Sequence, residues 1–125
     1  MTARSVLALA ALLMLLAVGC GAFGAHALRG RLAPDMAAVW QTAVQYHAWH
    51  ALGLLAIGLL LLLWPERSLL AIAAWLLVAG IVLFSGSLYA MALSGVRGLG
   101  AITPIGGVAF LAGWLVLAWA CWRGS

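Results

Sequence analysis

His47 and His50 stand three residues apart in AVQYHAWHALGLL (residues 43–55), where a polar stretch gives way to an apolar run. Two imidazoles at i, i+3 share a helix face, and with a third nitrogen from His26 they could ligate a metal or move a proton. Tyr46 precedes His50 by one helical turn, about 40° away around the axis. Tyr89, Ser85 and Thr103 are the other side chains that could join such a centre. The set is poor for catalysis, because Asp35 is the one acid on that side and no nucleophile, base and orienting group stand together. No cysteine or carboxylate adjoins the histidines to complete a metal shell, and a haem would want imidazoles from different helices. Two readings remain. One is a satisfied hydrogen-bond network between helix ends. The other is a polar pocket formed by His26, Gln45, Tyr46, His47, His50, Ser85, Tyr89 and Thr103 that takes a quinone, a lipid headgroup or, failing those, a metal or haem.

The elements that position these residues follow from composition. The 125-residue chain is 68% hydrophobic and 6% charged, with six arginines, no lysine, two acids and a net charge of +4. Ordinary globular chains are about a quarter charged, so this one needs lipid as its solvent, in which a spanning helix takes about 20 apolar residues. Nucleic acid is excluded as a partner in favour of phospholipid headgroups, beside which arginines at helix ends are stabilised. Cys20 and Cys121 fall at depths roughly 20 Å apart, beyond disulfide reach, and both are expected to be packed thiols.

Arginines, glycines and prolines cut the chain into four spans, at about 5–28, 45–64, 68–94 and 104–122. MTARS followed by an apolar run resembles a signal peptide with a loose lipobox at Cys20, but the run continues through GAFGAHAL to a full span. The second helix opens at Pro34-Asp35, a favourable first turn, and would reach about 45 Å by Trp64. Its start, about residues 34–45, is therefore assigned to the interface. Thr103-Pro104 reads as an N-cap and first helical position. Short loops make neighbours antiparallel, so the expected architecture is an all-α, up-down four-helix transmembrane bundle of one domain.

Small residues recur where helices must approach closely: Ala17, Gly21 and Ala25; Ala73, Gly80, Ser87 and Ser94; Gly106, Gly113 and Ala120. Tyr46, His50, Gln45, Gln41 and Thr42 fall on one half of the second helix, a half that belongs against protein. His50 should point into the pocket, His47 should lie at its edge, and His26 should meet His50 from the antiparallel neighbour. Arg29, Arg31 and Arg97 rim this end and face headgroups. Trp40, Trp49 and Tyr46 are expected at one interface, and Trp64, Trp119 and Trp122 at the other. AHAL followed by RGRLAP and AMAL followed by SGVRGLGAITP form a faint internal repeat. Three arginines lie on each side of the membrane, so charge does not orient the chain. The signal-like start favours a cytoplasmic N-terminus.

GAFGAHAL (21–28), WQTAVQYHAWHALGLL (40–55), FSGSLYAMALSG (84–95) and LGAITPIGG (99–107) occur in that order and cover nearly the whole chain. With them the sequence resembles the family of bacterial inner-membrane YgdD proteins and animal transmembrane protein 256, grouped as domain of unknown function 423. The resemblance implies a small protein with four membrane segments, no established activity and no catalytic residues or cofactor to carry over. The abundance of alanine, the arginines and the absence of lysine suit a GC-rich bacterial genome, so the expected location is a bacterial inner membrane. The expected function is non-enzymatic, through contacts with lipid, with helices of other membrane proteins or with a second copy, as a subunit of a larger assembly.

Overall fold

The computed structural model describes residues 1–123. Thr2 caps the first helix, α1 (Ala3–His26): its hydroxyl accepts from the Ser5 amide at 3.2 Å, and the Ser5 hydroxyl donates back to the Thr2 carbonyl at 2.8 Å. The chain leaves α1 through Gly30, whose φ of +73° is open to glycine at little cost. The second helix, α2 (Pro34–Leu63), has Pro34 and Asp35 in its first turn and ends just before the Trp64-Pro65 step. The third span is α3 (Ser68–Gly80), a π-turn (Ile81–Ser85) and α4 (Gly86–Ser94), stopped by Gly95 in the left-handed conformation. A 3-10 turn (Arg97–Ala101) leads into α5 (Thr103–Trp122). Four helical stretches are thus long and apolar enough to cross a membrane, in an all-α fold.

α1 packs along α2, and α5 packs along α3 and the π-turn. α2 and the α3–α4 span hold the centre, so they carry most of the buried residues while α1 and α5 are mainly outward-facing. A core of Val6, Leu54, Ile57, Leu70, Leu77 and Phe110 runs through the middle, and a second cluster of Met36, Ala43, Leu88 and Met91 fills one end.

The small-residue rows do form seams, with a register that composition does not reveal. Glycine faces a large group rather than another glycine. Gly80 is opposed by the Phe110 ring, Gly113 by Leu77 and Gly106 by the Phe84 backbone, while Ser87 meets Thr103. These pairs step by three and four residues along both helices, the stripe of two antiparallel helices in contact. Between α1 and α2, Gly58 receives Leu7, Gly21 receives Val44 and Gly24 receives Trp40. Gly30 and Gly95 sit at matching places in the faint repeat and share φ +73°, so both hairpins turn through the same left-handed glycine.

Several expectations need correction. α1 begins at Ala3, where Thr2 caps it, and ends at His26, each two residues before the expected bounds of about 5–28. Residues 36–45 run continuously into the rest of α2, with Met36, Trp40 and Ala43 buried. Ala25 and Ser94, the outer members of their rows, are exposed. Cys121 is exposed rather than packed. Thr103 does not cap its helix, since its hydroxyl is taken by Ser87 at 2.7 Å.

Arg97 binds Asp35 at 2.6 Å and ties the 3-10 turn to the start of α2. The guanidinium, by hydrogen bonding first and charge second, holds the Asp35 carboxyl below its ordinary value of 3.8. A depressed carboxyl pKa contributes stability above the unfolded value, and that contribution vanishes as pH falls through the folded one. Acidification below about pH 4 should therefore loosen this link in the native protein and leave Asp35→Asn unaffected. Proteolysis of the 95–102 connection against pH, compared between the two, reads it. Equal profiles would show that the pair tethers nothing.

Candidate functional site

The polar residues named above do not gather into one pocket. They divide between two seams on opposite flanks of α2. His50 is buried toward α3 and α5. Its Nδ1 lies 2.6 Å from the Tyr46 carbonyl, and since a carbonyl only accepts, Nδ1 is the protonated nitrogen. Phe110 stacks on the imidazole at 3.5 Å between centroids and 13° between planes, with Tyr46 beside the pair, 5.9 Å from His50 and 6.2 Å from Phe110, and Trp114 at 5.9 Å. Tyr46 also packs on Phe84 at 4.5 Å. Gly80 leaves the space in which Phe110 lies. The sequence-level reading of His50 and Tyr46 as inward neighbours is correct, but what they enter is an aromatic box rather than a wet cavity.

His47 turns to the other flank, toward α1 and α4, and is 4% exposed, not at a pocket edge. Its Nδ1 is 2.9 Å from the Tyr89 hydroxyl. Trp40 packs on Tyr89 at 4.7 Å and donates its indole N–H to the Cys20 carbonyl at 3.0 Å. Trp40 is thus an internal strut between α1 and α4, not the interfacial anchor expected of it. The Nε2 of His47 is buried with no hydrogen-bond partner. Nearby, Ser85 donates to the Ala43 carbonyl at 2.8 Å and Ser87 pairs with Thr103.

Two members of the expected pocket stand outside both seams. Gln45 is exposed, and so is His26, the last residue of α1. The α1–α2 register explains the second. Gly24 meets Trp40, so His26 is level with about residue 38, and His50 lies roughly 18 Å further along α2. No three-imidazole centre is assembled. Among the described residues no group of three His, Cys, Asp or Glu side chains comes together.

Sequence reasoning missed Phe110, Phe84, Trp114 and the internal role of Trp40. The signal for Phe110 was present: it falls four residues after Gly106 and three before Gly113, on the same face of α5. Also unforeseen is a cleft of about 370 Å³ where α1, its following loop and α2 meet, lined by Gly24, Leu28, Arg29, Leu32, Trp40 and Gln41 among others. Arg29, Arg31 and Arg97 are all exposed at this end. At the opposite end Arg67 donates to the Ala120 carbonyl at 3.1 Å and covers the Trp64 ring.

Tyr89→Phe should remove the one partner of a buried imidazole and destabilise the protein by about 1–2 kcal/mol, between the usual cost of an orphaned buried group and the smaller values found in membranes. His47→Leu should abolish most of that sensitivity, since replacing both partners by apolar groups approaches neutrality. A double-mutant cycle on unfolding in detergent measures it. Additive effects would mean that the two groups are not coupled.

An all-helical chain with four apolar spans, its buried polar side chains engaged mainly with neighbouring helices, is a small polytopic membrane protein. It belongs to the family described as "Protein of unknown function (DUF423)", whose profile matches residues 20–107. The UPF0382 membrane protein YwdK of Bacillus subtilis is 50% identical over 109 residues, covering 87% of this chain and 89% of that one. A UPF0382 membrane protein of Staphylococcus epidermidis is 53% identical over 111 residues, with 87% and 88% covered. One from Staphylococcus aureus is 44% identical over 117 residues, with 92% and 93% covered. No solved structure matches the chain.

Proposed function

We propose that this is a non-enzymatic protein of the bacterial inner membrane that acts through helix–helix and lipid contacts, as a small subunit of a larger assembly or of its own oligomer. The observation that carries the reading is where the polar chemistry goes. His47, His50, Trp40, Ser85, Ser87 and Tyr89 are spent on hydrogen bonds between or within helices. Along the two outer spans what remains available is apolar: Leu12, Leu15, Leu16 and Val18 on α1, and Val108, Leu111 and Leu115 on α5 are all more than half exposed. Such faces meet acyl chains or other helices, and nothing on them performs a reaction. The signal-like start favours a cytoplasmic N-terminus, and with it a cytoplasmic end bearing Arg67 and Arg123.

Cross-linking in native membranes, followed by affinity purification and mass spectrometry, tests the reading. The expected result is a stoichiometric cross-link from α1 or α5 to a membrane helix of another protein or a second copy. A monomer surrounded by lipid alone would overturn the assembly role. A stoichiometric haem or metal in the purified protein, seen by absorption and elemental analysis, would overturn the reading as a whole.

A further inference from the structure

The cleft between the end of α1 and the start of α2 has the chemistry of a site rather than of a packing fault. Gly24, Leu28, Leu32 and the Trp40 ring supply the apolar part of its lining, and Arg29 and Gln41 belong to a polar part of similar extent. The apolar part is firm, because Trp40 is pinned to the Cys20 carbonyl and seated on Gly24. The charge is unanswered. Of the two acids in the chain, Asp35 is engaged by Arg97. Glu66 lies in the loop after α2, at the opposite end of the molecule. No carboxylate among the described residues is therefore ion-paired to Arg29 or to Arg31, two residues on in the same loop. A guanidinium presents forked donors that suit a phosphate oxyanion, and a glutamine amide can both donate and accept. The volume of about 370 Å³ lies within the range of small-molecule sites.

We infer that this cleft binds the headgroup of an anionic phospholipid, with its phosphodiester on Arg29, its glycerol or ester oxygens on Gln41 and its upper acyl carbons against Leu28, Leu32 and Trp40. A zwitterionic lipid offers the same phosphate but brings a cation toward Arg29 and Arg31, so the site discriminates by net charge. The inference rests on the reading that the protein works through lipid and helix contacts, and it names the lipid and the place.

Native mass spectrometry of the full chain in mild detergent, titrated with short-chain phosphatidylglycerol, phosphatidylcholine or inorganic phosphate, tests it. The expected result is about five- to tenfold tighter binding of phosphatidylglycerol than of phosphatidylcholine, the scale of one or two basic side chains near an anionic lipid. Arg29→Gln should erase that preference. Ala37→Trp keeps every charge and fills the cleft from an exposed lining position, and it should erase the preference as well. Arg97→Gln, at the same end but outside the cleft, should keep it. Equal binding of both lipids, or a preference that survives Ala37→Trp, overturns the inference. So does displacement of the lipid by inorganic phosphate at equal concentration, which would mark a free-oxyanion site. Each of these outcomes leaves the cross-linking result, and with it the assembly role, standing or falling separately.

Discussion

Gly106→Ala is expected to cost more stability than a single methyl group placed on any other glycine of the chain. The added carbon would strike the backbone nitrogen of Phe84, with the Leu83 carbonyl carbon and the Phe84 Cα both at 2.8 Å. Backbone cannot swing away as a side-chain tip can, so the whole α5 must lift off the π-turn. Overpacking of this kind typically costs 1–3 kcal/mol, and the position belongs at the upper limit, about 3 kcal/mol. Gly107→Ala is the internal control, since the nearest atom there is a Phe84 ring carbon at 3.9 Å, ordinary contact. Thermal or denaturant unfolding in mild detergent reads both. Equal stabilities for the two variants would show that α5 does not approach this closely.

Phe110→Ala should be the most damaging truncation, by about 3–5 kcal/mol, as for other buried aromatic rings cut to a methyl. The ring does three things at once. It fills the notch left by Gly80, covers the face of His50 and leans on Phe84. Removing it opens a cavity and strips an imidazole of its stacking partner. Gly80→Leu attacks the same contact from the other side, by driving a side chain into the ring. The combination Gly80→Leu with Phe110→Ala should therefore recover part of the loss, because the new leucine enters the vacated space. Strict additivity in the cycle would place Gly80 away from Phe110.

How far this could be read in advance depended on which physical signal was in play. The four spans were legible because lipid imposes a length and a composition that arginine, glycine and proline interrupt visibly. The seams were legible as rows of glycine and serine. Which large residue enters each glycine notch was not, since Phe110 and Leu77 look alike in a string of apolar letters and only the register of two helices chooses between them. His50 was placed correctly because Tyr46 lies one turn away on the same helix. His26 was misplaced because its partner lies on another helix. A shift of several residues in the α1–α2 alignment changes its depth by more than a water bridge can span. Trp40 was misread for a related reason: tryptophan near a helix end suits an interface equally well, until Gly24 is seen to offer it a seat.

Because α1 lies along α2 and α5 along α3, the principal contacts join helices that are neighbours in the chain, and this has a kinetic meaning. Low contact order favours fast folding, and synthesis releases the chain from its N-terminus. The first hairpin can close over Gly58, Gly21 and Gly24 while residues beyond Pro65 are still being made. It then presents the free flank of α2, with His50 and Gly53 exposed on it, as the template on which the second hairpin is received. Each half needs only its own loop to find its register, and the Trp64–Arg67 connection needs only to deliver one hairpin to the other.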